Sequence, residues 1–173
     1  MSDPLVERMF NENPLIAFSP FTHGQVEILR DLSTRLFAEL DRAIDAGEVD
    51  GQGFQRAYAM FWLWVLGAYE VTRTMSQARS CFSEQLASRV TEFKKRIAKL
   101  RMPFAKQEYA GRKQPIGGEA SVSGIDCDAR DFTFAIEQQL FSVRGTVAEF
   151  LAVFDSIKRE DILLDHRRSY DSE

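Results

Sequence analysis

Residues 54–75 read FQRAYAMFWLWVLGAYEVTRTM, and the fold turns on this stretch. Phe54, Tyr58, Phe61, Val65, Ala68, Thr72 and Met75 recur at alternating steps of four and three, which is one face of a helix. Ala57, Met60, Trp64, Gly67 and Val71 make a second line at the same spacing, and Trp62 and Leu66 a third. A helix that is apolar nearly all round is normally buried, so this one needs neighbours on several sides. Its uninterrupted apolar run, Ala57 to Tyr69, falls short of the roughly 20 residues that a bilayer core requires. Arg56, Glu70 and Arg73 close the run. The stretch therefore predicts a core helix with no membrane association. Burying one large side chain contributes on the order of 1.5–3 kcal/mol, so the aromatics here together match the roughly 5–15 kcal/mol that keeps a domain folded.

On the N-terminal side, residues 1–20 carry Pro4 and Pro14 among scattered apolar residues and predict an extended or briefly helical arm on the body. Thr22-His23-Gly24-Gln25 has the form of a capping box. A first helix follows to about Ala46, with Val26, Leu29, Leu36, Leu40 and Ile44 inward and Gly47 as its stop. On the C-terminal side a break falls between Ser76 and Ser83, with Ser80 or Ser83 as the next N-cap. The following helix, with Leu86, Val90, Phe93, Ile97 and Leu100 inward, ends at Pro103. Residues 103–128 read as one long irregular loop, the expected location of a binding surface if there is one.

From Ala129 two readings stay open. Phe132, Ile136, Leu140, Val143, Val147 and Phe150 fit one long fourth helix. Alternatively Phe132, Phe134 and Ile136 alternate as a strand, the chain turns at Glu137-Gln138-Gln139, Leu140 to Val143 returns, and Ser142 caps a shorter helix from about Val143 to Lys158. The charged tail 159–173 is expected to fray. The predicted architecture is one all-α domain, a four-helix-bundle-like fold with room for a small β-hairpin before the last helix. In such a bundle each helix keeps a solvent face, yet residues 54–75 show almost none, so a homodimer is expected to cover the surplus.

Hydrophobic content of 45% and charged content of 28% are those of an ordinary globular domain, and the net charge of −4 argues against a general nucleic-acid coat. Cys81 and Cys127 lack metal or redox spacing, and the N-terminus lacks a signal-like apolar region, so a reducing, cytoplasmic setting is expected. Against the acidic whole, Lys94, Lys95, Arg96, Lys99, Arg101, Lys106, Arg112 and Lys113 lie in a segment where Glu108 is the single acid. Such a stretch can meet phosphate or an acidic protein partner, with Phe104 and Tyr109 beside it for stacking; equally, it can be the solvated side of an amphipathic helix. Tyr58, Trp62, Tyr69, Glu70 and Arg73 form a candidate polar pocket, or Glu70 and Arg73 are simply an ion pair one helical turn apart.

Asp126, Asp128 and Asp131 lack the glycine and distal glutamate of an EF-hand and read as turn and cap residues. The sequence has no P-loop, no GxGxxG, no GxSxG, no zinc spacing and no Glu-x-x-His pair, so neither cofactor nor metal is expected. The function expected from the residues is that of a non-enzymatic interaction or regulatory module using the basic helix-loop surface. Arg159 and His166, with six residues between them, resemble the Arg–His element of the HEPN ribonucleases. That resemblance covers these two positions alone and implies, as the alternative, a ribonuclease or nucleic-acid-associated enzyme in which both are essential.

Overall fold

The computed structural model describes residues 4–45, 47–109, 111–112, 114–115, 117 and 121–166. Among them the chain is mostly helical, with two small antiparallel sheets. The N-terminal arm forms two short helices, α1 (Pro4–Glu12) and α2 (Leu15–Phe18), anchored by buried Leu15 and Phe18. Helix α3 (Pro20–Ala43) is capped three residues before the start of the expected capping box. Ser19 is its cap, accepting the Thr22 N–H at 3.2 Å, and Pro20 supplies a helical φ where no N–H is needed. Thr22 is buried in the first turn instead of capping it. The helix also stops short of Ala46, because β1 (Ile44–Asp45) pairs with β2 (Glu48–Val49) across Gly47 at φ +92°.

Asp50 then caps α4 (Gly51–Gln77), its carboxylate accepting the N–H groups of Gln52 and Gly53. Helices α3 and α4 run antiparallel in close contact, Gly53 beside Ala43 and Gly67 beside Leu29. A Cβ at Gly53 would lie 2.8 Å from that of Ala43, so only glycine permits the approach. The interface carries one buried polar link: the Trp64 indole N–H donates to Ser33 Oγ at 2.9 Å, and the Ser33 hydroxyl donates to the Leu29 carbonyl. Glu39, 5% exposed, is held at the same interface by Arg42 and Arg56 at 2.7 and 2.8 Å.

A 3-10 turn at Arg79–Cys81 separates α4 from α5 (Glu84–Lys106), which Ser83 caps. Pro103 does not end α5. It sits in the last turn, and the chain leaves the helix at Gln107, whose left-handed backbone (φ 56°) lets its N–H reach the Pro103 carbonyl. The irregular segment is accordingly shorter than 103–128, and it contributes a strand of its own, β3 (Gly124–Asp126).

The long fourth helix does not form. Asp131–Ile136 is β4 and Gln139–Ser142 is β5, joined at Glu137 and Gln138, both with positive φ as a tight hairpin turn demands. With β3 they make a three-stranded antiparallel meander in the order β3-β4-β5. Ser142 caps α6 (Val143–Asp155), accepting the Gly145 N–H at 2.9 Å.

Helix α3 packs on α4, α4 on α5, and α6 on both α5 and α3. The aromatic stripe of α4 finds its further neighbour in β4: Phe54 lies against Phe132 at 5.0 Å, and Phe61 stacks on Phe134 at 5.7 Å. Part of the surplus assigned to a second copy is thus covered within the chain, while Trp62 and Leu63 stay exposed. Residues 159–166 do not fray. Ile162 is buried and bridges to Phe82, and the Leu163 N–H donates to the Cys81 carbonyl at 2.8 Å, so the tail closes the α4–α5 corner. Residues 167–173 lie outside the described residues. No helix among the described residues is long and apolar enough to cross a membrane.

Candidate functional site

Successive residues of a helix point about 100° apart, so a basic run on α5 cannot act as one patch. Lys94 and Arg101, seven apart, turn toward α4. The Lys94 ammonium donates to Ser76 Oγ at 3.0 Å, and the Arg101 guanidinium lies 5.0 Å from the Tyr69 ring centroid and 4.0 Å from Glu70. Lys95 and Lys99, four apart, turn the other way with Arg96, toward β5. Lys106 ends α5 and is exposed, and Arg112 sits exposed in the turn after it; Lys113 lies outside the described residues.

Lys95, Arg96 and Lys99 line a groove of about 450 Å³ together with Glu92 on α5 and Gln139, Leu140 and Phe141 on β5. Its geometry follows from the meander. Phe141 turns inward and is buried, with Arg96 over its ring at 5.7 Å, which leaves Leu140 65% exposed on the outer face. Arg96 is also paired with Glu149 of α6 at 2.9 Å, and Lys99 donates to Gln139 Oε1 at 3.0 Å with Glu137 at 3.9 Å. Lys95 is exposed, with no hydrogen bond or ion pair among the described residues. Because β5 closes the meander, its outer edge has no backbone partner among the described residues.

The other candidates are distributed differently. Phe104 is not available for stacking: it packs edge-on against Phe134 at 5.2 Å and near Tyr58 and Phe61. Tyr58 and Trp62 belong to this aromatic layer, Tyr58 half-buried with its hydroxyl pKa pushed up by burial, and Trp62 donating to the Phe104 carbonyl at 3.0 Å. Tyr69, Glu70 and Arg73 lie on the α5 side, where Glu70 and Arg73 form a half-exposed pair. These five residues line no cavity described here. Asp126 accepts the Ala129 N–H in a turn, and Asp131 accepts the N–H groups of Phe132 and Arg144, both turn-and-cap roles. Among the described residues no three His, Cys, Asp or Glu side chains converge as a metal site.

Arg159 and His166 do come into one cavity, of about 830 Å³, between the N-terminal arm and the tail. Its walls mix apolar residues such as Phe10, Ile16 and Leu163 with polar Ser19 and Asp165. Arg159 lies over Phe10 and donates to the Ile162 carbonyl at 2.8 Å, and His166 packs on Phe18 at 4.9 Å. The β5 side of the groove was not foreseen as part of a site; the return of the hairpin over Leu140 to Val143 was the one signal for it. The chain matches no family model, no curated protein and no solved structure.

Proposed function

We propose that this protein is a non-enzymatic interaction or regulatory module that offers the β5-facing side of α5 to an acidic partner. One observation supports the reading above others: Lys95, Arg96 and Lys99 gather in a single groove beside a strand edge, and Lys95 makes no ion pair among the described residues. Helices α3 to α6 serve as a four-helix-bundle-like scaffold for it. On this reading the chain acts as a homodimer across the exposed part of α4 at Trp62 and Leu63, and a monomer by sedimentation at micromolar concentration would remove that element. Cys81 and Cys127 are not joined in a disulfide, which fits a reducing, cytoplasmic setting.

The test is capture from nuclease-treated lysate by the wild-type chain and by the Lys95→Glu/Lys99→Glu variant. The reading expects a discrete protein retained by the first and lost with the second, at unchanged thermal stability. Equal capture by both would contradict it. Recovery that needs intact nucleic acid and falls steeply with salt would make the face a phosphate-binding one instead.

A second, HEPN-like reading is favoured by one observation, the shared cavity of Arg159 and His166. Truncation after Lys158 is a poor test, since it removes Ile162 from the core. His166→Ala is the better one: unchanged activity of any ribonuclease found in the preparation would exclude this assignment.

A further inference from the structure

We propose that the groove takes an extended acidic peptide segment, which pairs with the outer edge of β5 as an added strand. The proposal rests on the interaction reading above and names the partner's chemistry. Strand addition uses main-chain hydrogen bonds for affinity and alternate side chains for selection, and the groove offers both. Its first wall is the edge of β5, whose outward N–H and C=O groups have no backbone partner among the described residues. Its second wall is α5 from Glu92 to Lys99. At 1.5 Å per residue that wall is about 10 Å long, the length of roughly three strand residues at about 3.3 Å each.

Charge decides which segment fits. Side chains projecting from an added strand toward α5 meet Lys95 and Lys99, of which Lys99 already donates to Gln139, with Arg96 between them engaged by Glu149. Carboxylates there gain counter-charges, whereas lysines or arginines meet like charge, so the cations admit acidic strands and reject basic ones. The exposed side chain of Leu140 adds an apolar contact for a residue on the opposite face of the incoming strand.

A nucleic-acid backbone fits less well. Its phosphates offer acceptors but no donors for the carbonyls of a strand edge, and Lys94 and Arg101 are turned away to α4, so the cations do not form a continuous track. Phe104 is packed against the core rather than displayed for base stacking.

The experiment titrates the 173-residue chain, followed by amide NMR, with the capped peptide Glu-Val-Glu-Val-Glu-Val-Glu. Two comparison peptides keep its charge but are N-methylated at every valine or at every glutamate, and a ten-residue oligothymidylate provides a phosphate probe. The expected result is saturable binding that moves the Leu140 and Phe141 amides, at least tenfold weaker for Lys95→Glu/Lys99→Glu and for at least one methylated peptide. Binding of both methylated peptides as tight as that of the unmodified peptide would overturn strand addition and leave the acidic-partner reading standing. Saturation by oligothymidylate without peptide binding would overturn the peptide proposal in favour of a phosphate-binding face. Absence of any peptide binding at millimolar concentration would overturn the proposal too; the lysate capture above then decides separately whether the interaction reading survives.

Discussion

The two strands of one hairpin meet opposite environments. β4 turns Phe132 and Phe134 into the aromatic side of α4 and leaves no space there, while β5, one hairpin turn later, borders an open groove edged with cations. The first contact is dry, apolar and made within the chain. The second is wet, charged and unfinished. A strand can close a core and still expose a working edge, because its faces are set by side-chain alternation and its edges by backbone pairing.

If that contrast is right, the largest effects on stability belong to the closed side. Phe134 is fully buried, so Phe134→Ala should cost about 3–5 kcal/mol in urea denaturation. Lys95→Glu/Lys99→Glu should stay within about 0.5 kcal/mol of wild type in the same measurement. A comparable loss in the two variants would erase the distinction between a sealed and an open side. Ser33→Ala comes next: it leaves the buried Trp64 indole N–H without its acceptor, and should cost about 1–3 kcal/mol with little effect on peptide binding.

The smallest effect belongs to Asp131, which links the two sides by joining the start of β4 to the first turn of α6. It is only 5% exposed, and burial pushes its carboxyl above the usual range although the N–H groups of Arg144 and Phe132 pull it back. A carboxyl with a raised folded-state pKa favours the folded chain most when protonated, below the unfolded value. That contribution disappears as pH rises through the folded value. Urea midpoints should therefore show a small term that falls with rising acid-range pH, and Asp131→Asn should flatten it. An unaltered profile in that variant would assign the term to another group.

Much of this was visible in the residues. The inward lines of α3 and α5 follow from spacing alone, and Leu36, Leu40, Val90, Phe93, Ile97 and Leu100 are all buried. The neighbour of α4 was not visible. Periodicity showed that Phe54, Tyr58 and Phe61 required a partner, but the partner is β4, about 75 residues later, and such distant pairing leaves no local pattern. Pro103 misled in the other direction: it forgoes the N–H that would reach the Lys99 carbonyl, yet α5 runs three residues past it and closes with the Gln107 N–H on the Pro103 carbonyl. Half of the groove was equally legible. That Lys95 and Lys99 share a side of α5 opposite Lys94 follows from helix geometry. What each side faces depends on where the hairpin lies, and that is tertiary structure.

The central claim is that position on α5, not charge alone, makes the groove a binding site. It is tested most directly by two charge-matched variants, Lys95→Gln/Lys99→Gln and Lys94→Gln/Arg101→Gln, titrated with the acidic peptide at one salt concentration. Both lose the same two positive charges. The account predicts at least tenfold weaker binding for the first pair and near-wild-type binding for the second, whereas equal weakening of the two would mean that the peptide senses only the overall field of the helix.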